Sequence, residues 1–290
     1  MVDQAQALRN LVKASAVDGQ AKQTRVITVT SGKGGVGKSN FTLNFALALQ
    51  SQGYKVVIFD ADIGLANLDV LMGMSPQYHL YHLLKKEKTI HEIIHQGPGG
   101  LQLVAGGSGF NDLLSLTDEQ LEYFVEQVSQ LSGVVDFILF DTGAGLSKET
   151  LKFIVSAEQT FVVTTPEPTS ITDAYAIIKM VQQMDHHNVQ FKLVINRVSD
   201  WEEGKATSDK ISFVAKRFLG IDIETVGYVS DDSHVSKSVK KQVPFLIEHP
   251  SCSASRDIQR IAKQFISGST MNGEQTGLKG FLTKMIRFMK

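Results

Sequence analysis

Short apolar runs alternate with longer amphipathic stretches along most of the chain. Residues 26–30, 55–60, 101–107, 136–141, 160–165, 191–196 and 225–229 are continuous apolar runs bounded by glycine, proline or polar residues, and read as buried strands. Helical spacing fills the gaps. Phe41, Leu43, Phe45, Ala46 and Leu49 form one such stretch, and Leu121, Phe124, Val125, Val128 and Leu131 form another behind the N-cap signal Thr117-Asp118-Glu119-Gln120. Further helices are predicted from about Ser170, from about Glu202, around 235–240 and over 253–266. Strands alternating with helices predict an α/β fold with a doubly wound, mostly parallel sheet flanked by helices. Two amphipathic pieces lie outside it: residues 1–24, with Ala7, Leu8, Leu11 and Val12 on one side, and residues 277–290 behind a polar linker, 268–276. The body between them, 25–267, is expected to be one domain.

Composition narrows the class. A chain of 290 residues, 42% hydrophobic and 20% charged, holds enough apolar residues for one substantial core. Its formal net charge of -1 leaves no global basic field, so nucleic acid is not an expected partner. One cysteine, Cys252, excludes an intramolecular disulfide framework and a cysteine-ligated cluster within one chain. The N-terminus lacks the apolar core of a signal peptide and no apolar run is long enough to span a bilayer, so a cytoplasmic setting is expected.

The chemistry concentrates after the first strand, where Ser31 to Asn40 reads S-G-K-G-G-V-G-K-S-N. This is a P-loop. Gly32, Gly34, Gly35 and Gly37 let successive backbone N–H groups, including that of Val36, turn inward as an anion nest at a helix N-terminus. Lys38 would bridge the β and γ phosphates and the Ser39 hydroxyl would sit on Mg²⁺. The apolar run 136–141 ends in Asp141, where a carboxylate can hold a Mg²⁺-bound water. The string His91-Glu92-Ile93-Ile94-His95 matches a zinc-protease signature but is set aside. On a helix its isoleucines share one face with Ile90 and its histidines do not, and Gly97-Pro98 cuts the helix off.

The second lysine of the loop, Lys33, makes G-K-G-G-V-G-K-S resemble the deviant Walker A motif of the MinD/ParA family of P-loop ATPases. The resemblance implies a homodimer formed with ATP, in which Lys33 acts in trans on the partner's nucleotide. Asp60-Ala61-Asp62 resembles that family's switch I, implying that Asp60 faces the Mg²⁺ shell and Asp62 orients the attacking water. Asn196 matches the residue that reads the adenine edge. The nucleotide site implied is therefore Gly32 to Asn40 with Asn196; Lys33, Lys38 and Asp62 are catalytic, and Ser39, Asp60 and Asp141 hold the metal. Gly143 departs from the pattern by standing where the family usually has proline.

The terminal helix has a second use. Leu278, Phe281, Leu282, Met285, Ile286, Phe288 and Met289 occupy one arc of about 160°, with Lys279, Lys284, Arg287 and Lys290 opposite and no acid. Such a face is expected to lie in an anionic membrane interface, with docking on the protein's own core or on a partner as the alternative. At the other end, Asp3, Gln4, Ala5, Leu8 and Arg9 match the D-Q-A-x-x-L-R segment of the FlhG family, MinD-type regulators of flagellar number. That likeness implies binding to the signal-recognition-particle-type GTPase FlhF, contact with flagellar basal-body (C-ring) proteins, and a place on the inner face of the cell membrane. Division-site placement as in MinD and DNA segregation as in ParA are the alternatives.

Overall fold

A computed structural model describes residues 23–62, 67–107, 117–184, 189–268 and 277–289. The residues assigned to FlhF binding (Asp3, Gln4, Ala5, Leu8, Arg9) and nearly all of the linker lie outside it, as does the Met289 side chain.

Eight strands form one sheet in the order β3-β4-β2-β5-β1-β6-β7-β8. They are β1 Arg25–Ser31, β2 Val56–Ala61, β3 Ile94–Gln96, β4 Gln102–Val104, β5 Phe137–Ala144, β6 Gln159–Thr164, β7 Gln190–Val198 and β8 Glu224–Ser230. All pairings are parallel except that of β3 with β4. The expected fold is present. The short edge strand β3 was not anticipated, and it settles the H-E-x-x-H string: the helix stops at Ile93, and His95 lies on β3, donating from Nε2–H to the Tyr78 carbonyl at 2.8 Å.

The helices are α1 Lys38–Ser51, α2 Leu68–Leu71, α3 Leu80–Leu84, α4 Ile90–Ile93, α5 Asp118–Ser129, α6 Lys148–Ser156, α7 Pro168–Gln182, α8 Trp201–Leu219, α9 Ser233–Lys241, α10 Phe245–Glu248, α11 Ser253–Gly268 and α12 Gly277–Met289. The period-2 alternation of the strands decides which layer each packs into. Ile27, Ile58, Leu139 and Val194 face α1 and α11, while Val57, Phe59, Ile138 and Phe140 face the opposite layer of α3, α5, α6 and α12. None of the described helices is long and apolar enough to cross a membrane.

The terminal helix α12 is docked on the protein itself. Leu278, Phe281, Leu282 and Met285 are buried against α5, α6 and β5, and the Phe281 ring stacks on Phe140 at 4.8 Å. Phe288 packs partly against the neighbouring cluster under α7 and α8. The entry to α12 is pinned by two hydrogen bonds, Leu278 N–H to the Thr24 carbonyl and Gly277 N–H to Glu158 Oε1, both 3.1 Å. Gly277 has φ 56°, and a Cβ there would lie 2.9 Å from the Gln23 side chain and 3.0 Å from the Thr24 carbonyl oxygen. No larger residue fits this turn without displacing its neighbours.

Asp232, just after β8, ties two helices together by capping both. Oδ1 accepts from His234 N–H at the start of α9, and Oδ2 from Ser253 N–H at the start of α11, both at 2.9 Å. Burial alone would raise the Asp232 carboxyl, but the hydrogen bonds from His234, Ala254 and Ser253 hold it well below the usual carboxylate range. Asp232→Ala is expected to cost about 1–3 kcal/mol in urea unfolding at neutral pH. Because the folded-state pKa is depressed, this stabilisation is present above about pH 4 and is lost as pH falls below it. A variant as stable as wild type at pH 7 would remove the double cap.

Candidate nucleotide site

The site forms where β1, β2, β5 and β7 end, at the carboxyl edge of the sheet. Ligands of open α/β sheets bind there. The loop from β1 to α1 bends at Gly35, with φ 81°, and at Gly37, with φ 92°, which is also the residue before the first turn of α1. A Cβ on Gly37 would lie 2.3 Å from Asn196 Nδ2. The glycine is needed for its backbone angle and for that approach, because Asn196 Nδ2–H donates to the Val36 carbonyl at 2.8 Å. Asn196 therefore braces the loop from β7.

Lys38 opens α1 and is buried, with Nζ 3.0 Å from Asp141 Oδ1 and 3.3 Å from Ser39 Oγ. Asp141 also accepts from Thr42 Oγ1 at 2.8 Å. Asp60 is the register partner of Asp141 on the adjacent strand. Its Oδ1 accepts from Asp62 N–H, and its Oδ2 accepts from Asn67 and Leu68 N–H. Burial first, and the Asp141 charge second, push the Asp60 carboxyl up to about 7. Two carboxylates thus share the neighbourhood of one ammonium.

A cavity of ≈ 760 Å³ opens in front of these groups, lined by Gly34, Gly35, Gly37, Lys38, Ser39 and Asn40 from the loop, by Asp62 just after β2 and by Gly143 near the end of β5. A smaller one of ≈ 50 Å³ adjoins it, lined by Asn196, Asp231, Asp232, Val235 and Phe245. Asp60 and Asp141 lie behind the large cavity and Gly32, Lys33 and Val36 do not line it. Gly143 is where proline was expected. A Cβ there would meet Asp62 Oδ1 at 3.3 Å. Without the proline ring, the turn is pinned by Thr150 Oγ1–H donating to the Gly143 carbonyl at 3.3 Å and by Gly145 N–H donating to the Ser31 carbonyl at 2.8 Å.

Lys33 points out of its own loop. Its Nζ is 3.0 Å from Glu167 Oε2 and 3.1 Å from Thr169 Oγ1 at the start of α7. Neither partner was legible in the sequence, since both are more than a hundred residues away and carry no local signature. Thr42 was missed for the same reason, although it lies one helical turn after Lys38 and thus on the same face of α1.

Residues 22–266 match the family described as ParA, NUBPL iron-transfer P-loop NTPase. The chain belongs to this family. It is 34% identical to the antiactivator FleN of Pseudomonas aeruginosa over 93% of this chain and 96% of that protein. It is 36% identical to the flagellum site-determining protein YlxH of Helicobacter pylori over 92% and 91%. Among solved structures, a chain of the MinC:MinD cell division protein complex of Aquifex aeolicus superposes with a TM-score of 0.70 at 27% identity, covering 88% of this chain and all of that one. A Pyrococcus horikoshii MinD complexed with Mg-ADP has the same fold, with a TM-score of 0.70 at 22% identity.

As a P-loop ATPase, the chain has a loop built for a polyphosphate. The α1 N-terminus and the buried Lys38 supply positive potential at one point. Ser39 Oγ and the Asp141 carboxylate lie at Lys38 Nζ, and both are hard oxygen donors of the kind Mg²⁺ takes.

Proposed function

We propose that the chain is an ATP-dependent dimerising switch that regulates flagellar number and placement. The flagellar output rests on the likeness to FleN and YlxH. The switch rests on one observation: α12 is docked against the elements that carry the nucleotide site. Phe140, which stacks on Phe281, is the residue before Asp141, and α6 begins directly after the turn that follows β5. Any rearrangement of Asp141 and residues 143–147 is transmitted to the groove that holds α12.

In this reading ATP pairs two protomers and Lys33 leaves Glu167 and Thr169 for the partner's phosphates. Mg²⁺, held through Ser39, Asp141 and the Asp60 shell, would neutralise charge on the β and γ phosphates when bound. Lys38 turns from Asp141 to the nucleotide, and Asp62 holds the attacking water by accepting its proton in a hydrogen bond. Asn196 would offer its amide oxygen to the base while its nitrogen braces Val36. Shifted switches loosen the groove, and α12 moves to an anionic membrane, presenting Phe281, Leu282, Met285, Ile286 and Met289 to the acyl boundary and Lys284 and Arg287 to the headgroups. Hydrolysis reverses both steps. Asp3, Gln4, Ala5, Leu8 and Arg9 would engage FlhF, and other surfaces the basal-body proteins.

The test is co-sedimentation with anionic liposomes in ATP and in ADP. We compare the intact chain, a chain ending at Thr276, Asp62→Ala and the groove variant Phe153→Ala. Sedimentation is expected to require the tail, to rise with ATP, to persist in Asp62→Ala, and in Phe153→Ala to appear already with ADP. An intact chain that ignores lipid in every nucleotide state would sink the membrane half of the proposal.

A further inference from the structure

We propose that Arg197 is a nucleotide-binding residue that grips the α-phosphate at the junction of the phosphate and base cavities. The first observation is backbone geometry. Among the described residues three non-glycine residues have positive φ: Lys86, Gln242 and Arg197. Lys86 and Gln242 follow α3 and α9, where a left-handed residue commonly ends a helix. Arg197 follows no helix. It sits with φ 56° in the register shift between Asn196 and Val198, where β7 bulges against β8.

A bulge of this kind ordinarily takes glycine, and asparagine tolerates the angle better than arginine. An arginine held there in spite of the angle points to a use for its side chain, since such strain collects at ligand sites. The bulge also re-aims residue 197 relative to the strand alternation. Val198 is buried while Arg197 is exposed at the cavity edge.

The second observation is position. Arg197 lines both the ≈ 760 Å³ phosphate cavity and the ≈ 50 Å³ base cavity. The part of a nucleoside triphosphate that lies between its base and its β and γ phosphates is the ribose with the α-phosphate. Of these the α-phosphate is the anion, and a guanidinium matches it with paired N–H donors. The third observation is attachment. The preceding residue, Asn196, is hydrogen-bonded to the Val36 carbonyl, so the arginine is fixed relative to the loop that holds the β and γ phosphates. Among the described residues no ion pair occupies the Arg197 guanidinium.

The inference deepens the ATPase reading and makes a demand separate from it. ADP and ATP both carry the α-phosphate, so both lose the same contact when Arg197 is replaced. Binding of ATP, ADP and the two α-thio diastereomers of ATP is measured for wild type, Arg197→Gly, Arg197→Asn and Arg197→Lys, with thermal melting alongside. Arg197→Gly and Arg197→Asn are expected to weaken ATP and ADP equally, by about tenfold or more. They also lose the wild type's preference between the diastereomers, and Arg197→Lys falls between. Arg197→Gly is expected to melt no lower than wild type, because glycine takes the bulge angle freely, so the affinity loss is not a folding defect. Affinities within twofold of wild type, or a loss confined to ATP, overturn the proposal. A wild type that binds neither nucleotide would instead overturn the ATPase reading beneath it.

Discussion

Lys33→Ala is expected to lower the ATP turnover rate by about 10³-fold or more while leaving ATP bound within a few-fold of wild type. The reason is where the side chain is. Lys38 sits in its own phosphate cavity, but Lys33 leaves the loop on the outside and rests on Glu167 and Thr169. A lysine in that position contributes little to ground-state binding in its own protomer. A cation brought in from a partner stabilises the charge that develops in phosphoryl transfer, and such inserted cations are worth about 10³–10⁵ in rate. The ion pair that holds Lys33 in cis is no obstacle. Both side chains are largely exposed, at 42% and 57%, and such pairs are worth about 0–1 kcal/mol. In the proposed dimer, Lys33 would therefore be redirected at small cost. The measurement is turnover per protomer against protein concentration. Wild type is expected to rise with concentration and Lys33→Ala to stay flat and low. A Lys33→Ala protein that hydrolyses ATP at the wild-type rate would end the trans role.

Phe281→Ala is expected to release the terminal helix. The ring is 1% exposed and stacks on Phe140, which in turn contacts Phe59 and Phe153 at centroid distances of 5.0 and 5.2 Å. Truncating a phenylalanine in such a site costs about 3–5 kcal/mol, from lost transfer free energy and the cavity left behind. The loss seen in global unfolding has a ceiling. Once the deficit exceeds the net free energy of docking, α12 detaches and the rest of the domain stays folded without it. The expected result is faster amide exchange throughout residues 278–288, with a melting temperature lower by roughly 5–15 °C. Phe281→Leu, which refills part of the cavity, is expected to recover part of both. Unchanged exchange in the tail of Phe281→Ala would mean that the helix is not held where the structure has it. Phe281 belongs to both the docked and the lipid-facing state, so this variant reports docking, and the groove variant Phe153→Ala separates the two.

Features that a long enough local pattern specifies were legible in the chain. The run from β1 through the glycines to Lys38 and Ser39 specifies a strand, a nest of N–H groups and a helix start in consecutive residues. The apolar strand ending in Asp141 and the alternation of strands with helices were readable for the same reason. They predicted a mostly parallel sheet, while the strand order that makes Asp60 and Asp141 register partners came from the structure. β3 was not readable, because three residues between a capped turn and Gly97-Pro98 carry too little pattern to separate a strand from a helix end.

What the tertiary structure decided is which surface each readable feature meets. Helical periodicity showed that α12 has an apolar face, but lipid and a protein groove ask for the same face. Only the open space between α5 and α6, floored by Phe140, decides that in this state the face is buried in the domain. In the same way the loop motif showed that Lys33 is present, and packing of α7 against the P-loop placed Glu167 and Thr169 under it. At Arg197 the residue type was visible and its left-handed angle was not, since that angle is imposed by the register of β7 on β8 and not by arginine. Local sequence determines the conformations and chemical groups on offer. Contacts between residues far apart in the chain are selected by the shape of the whole packed core, which no short stretch encodes.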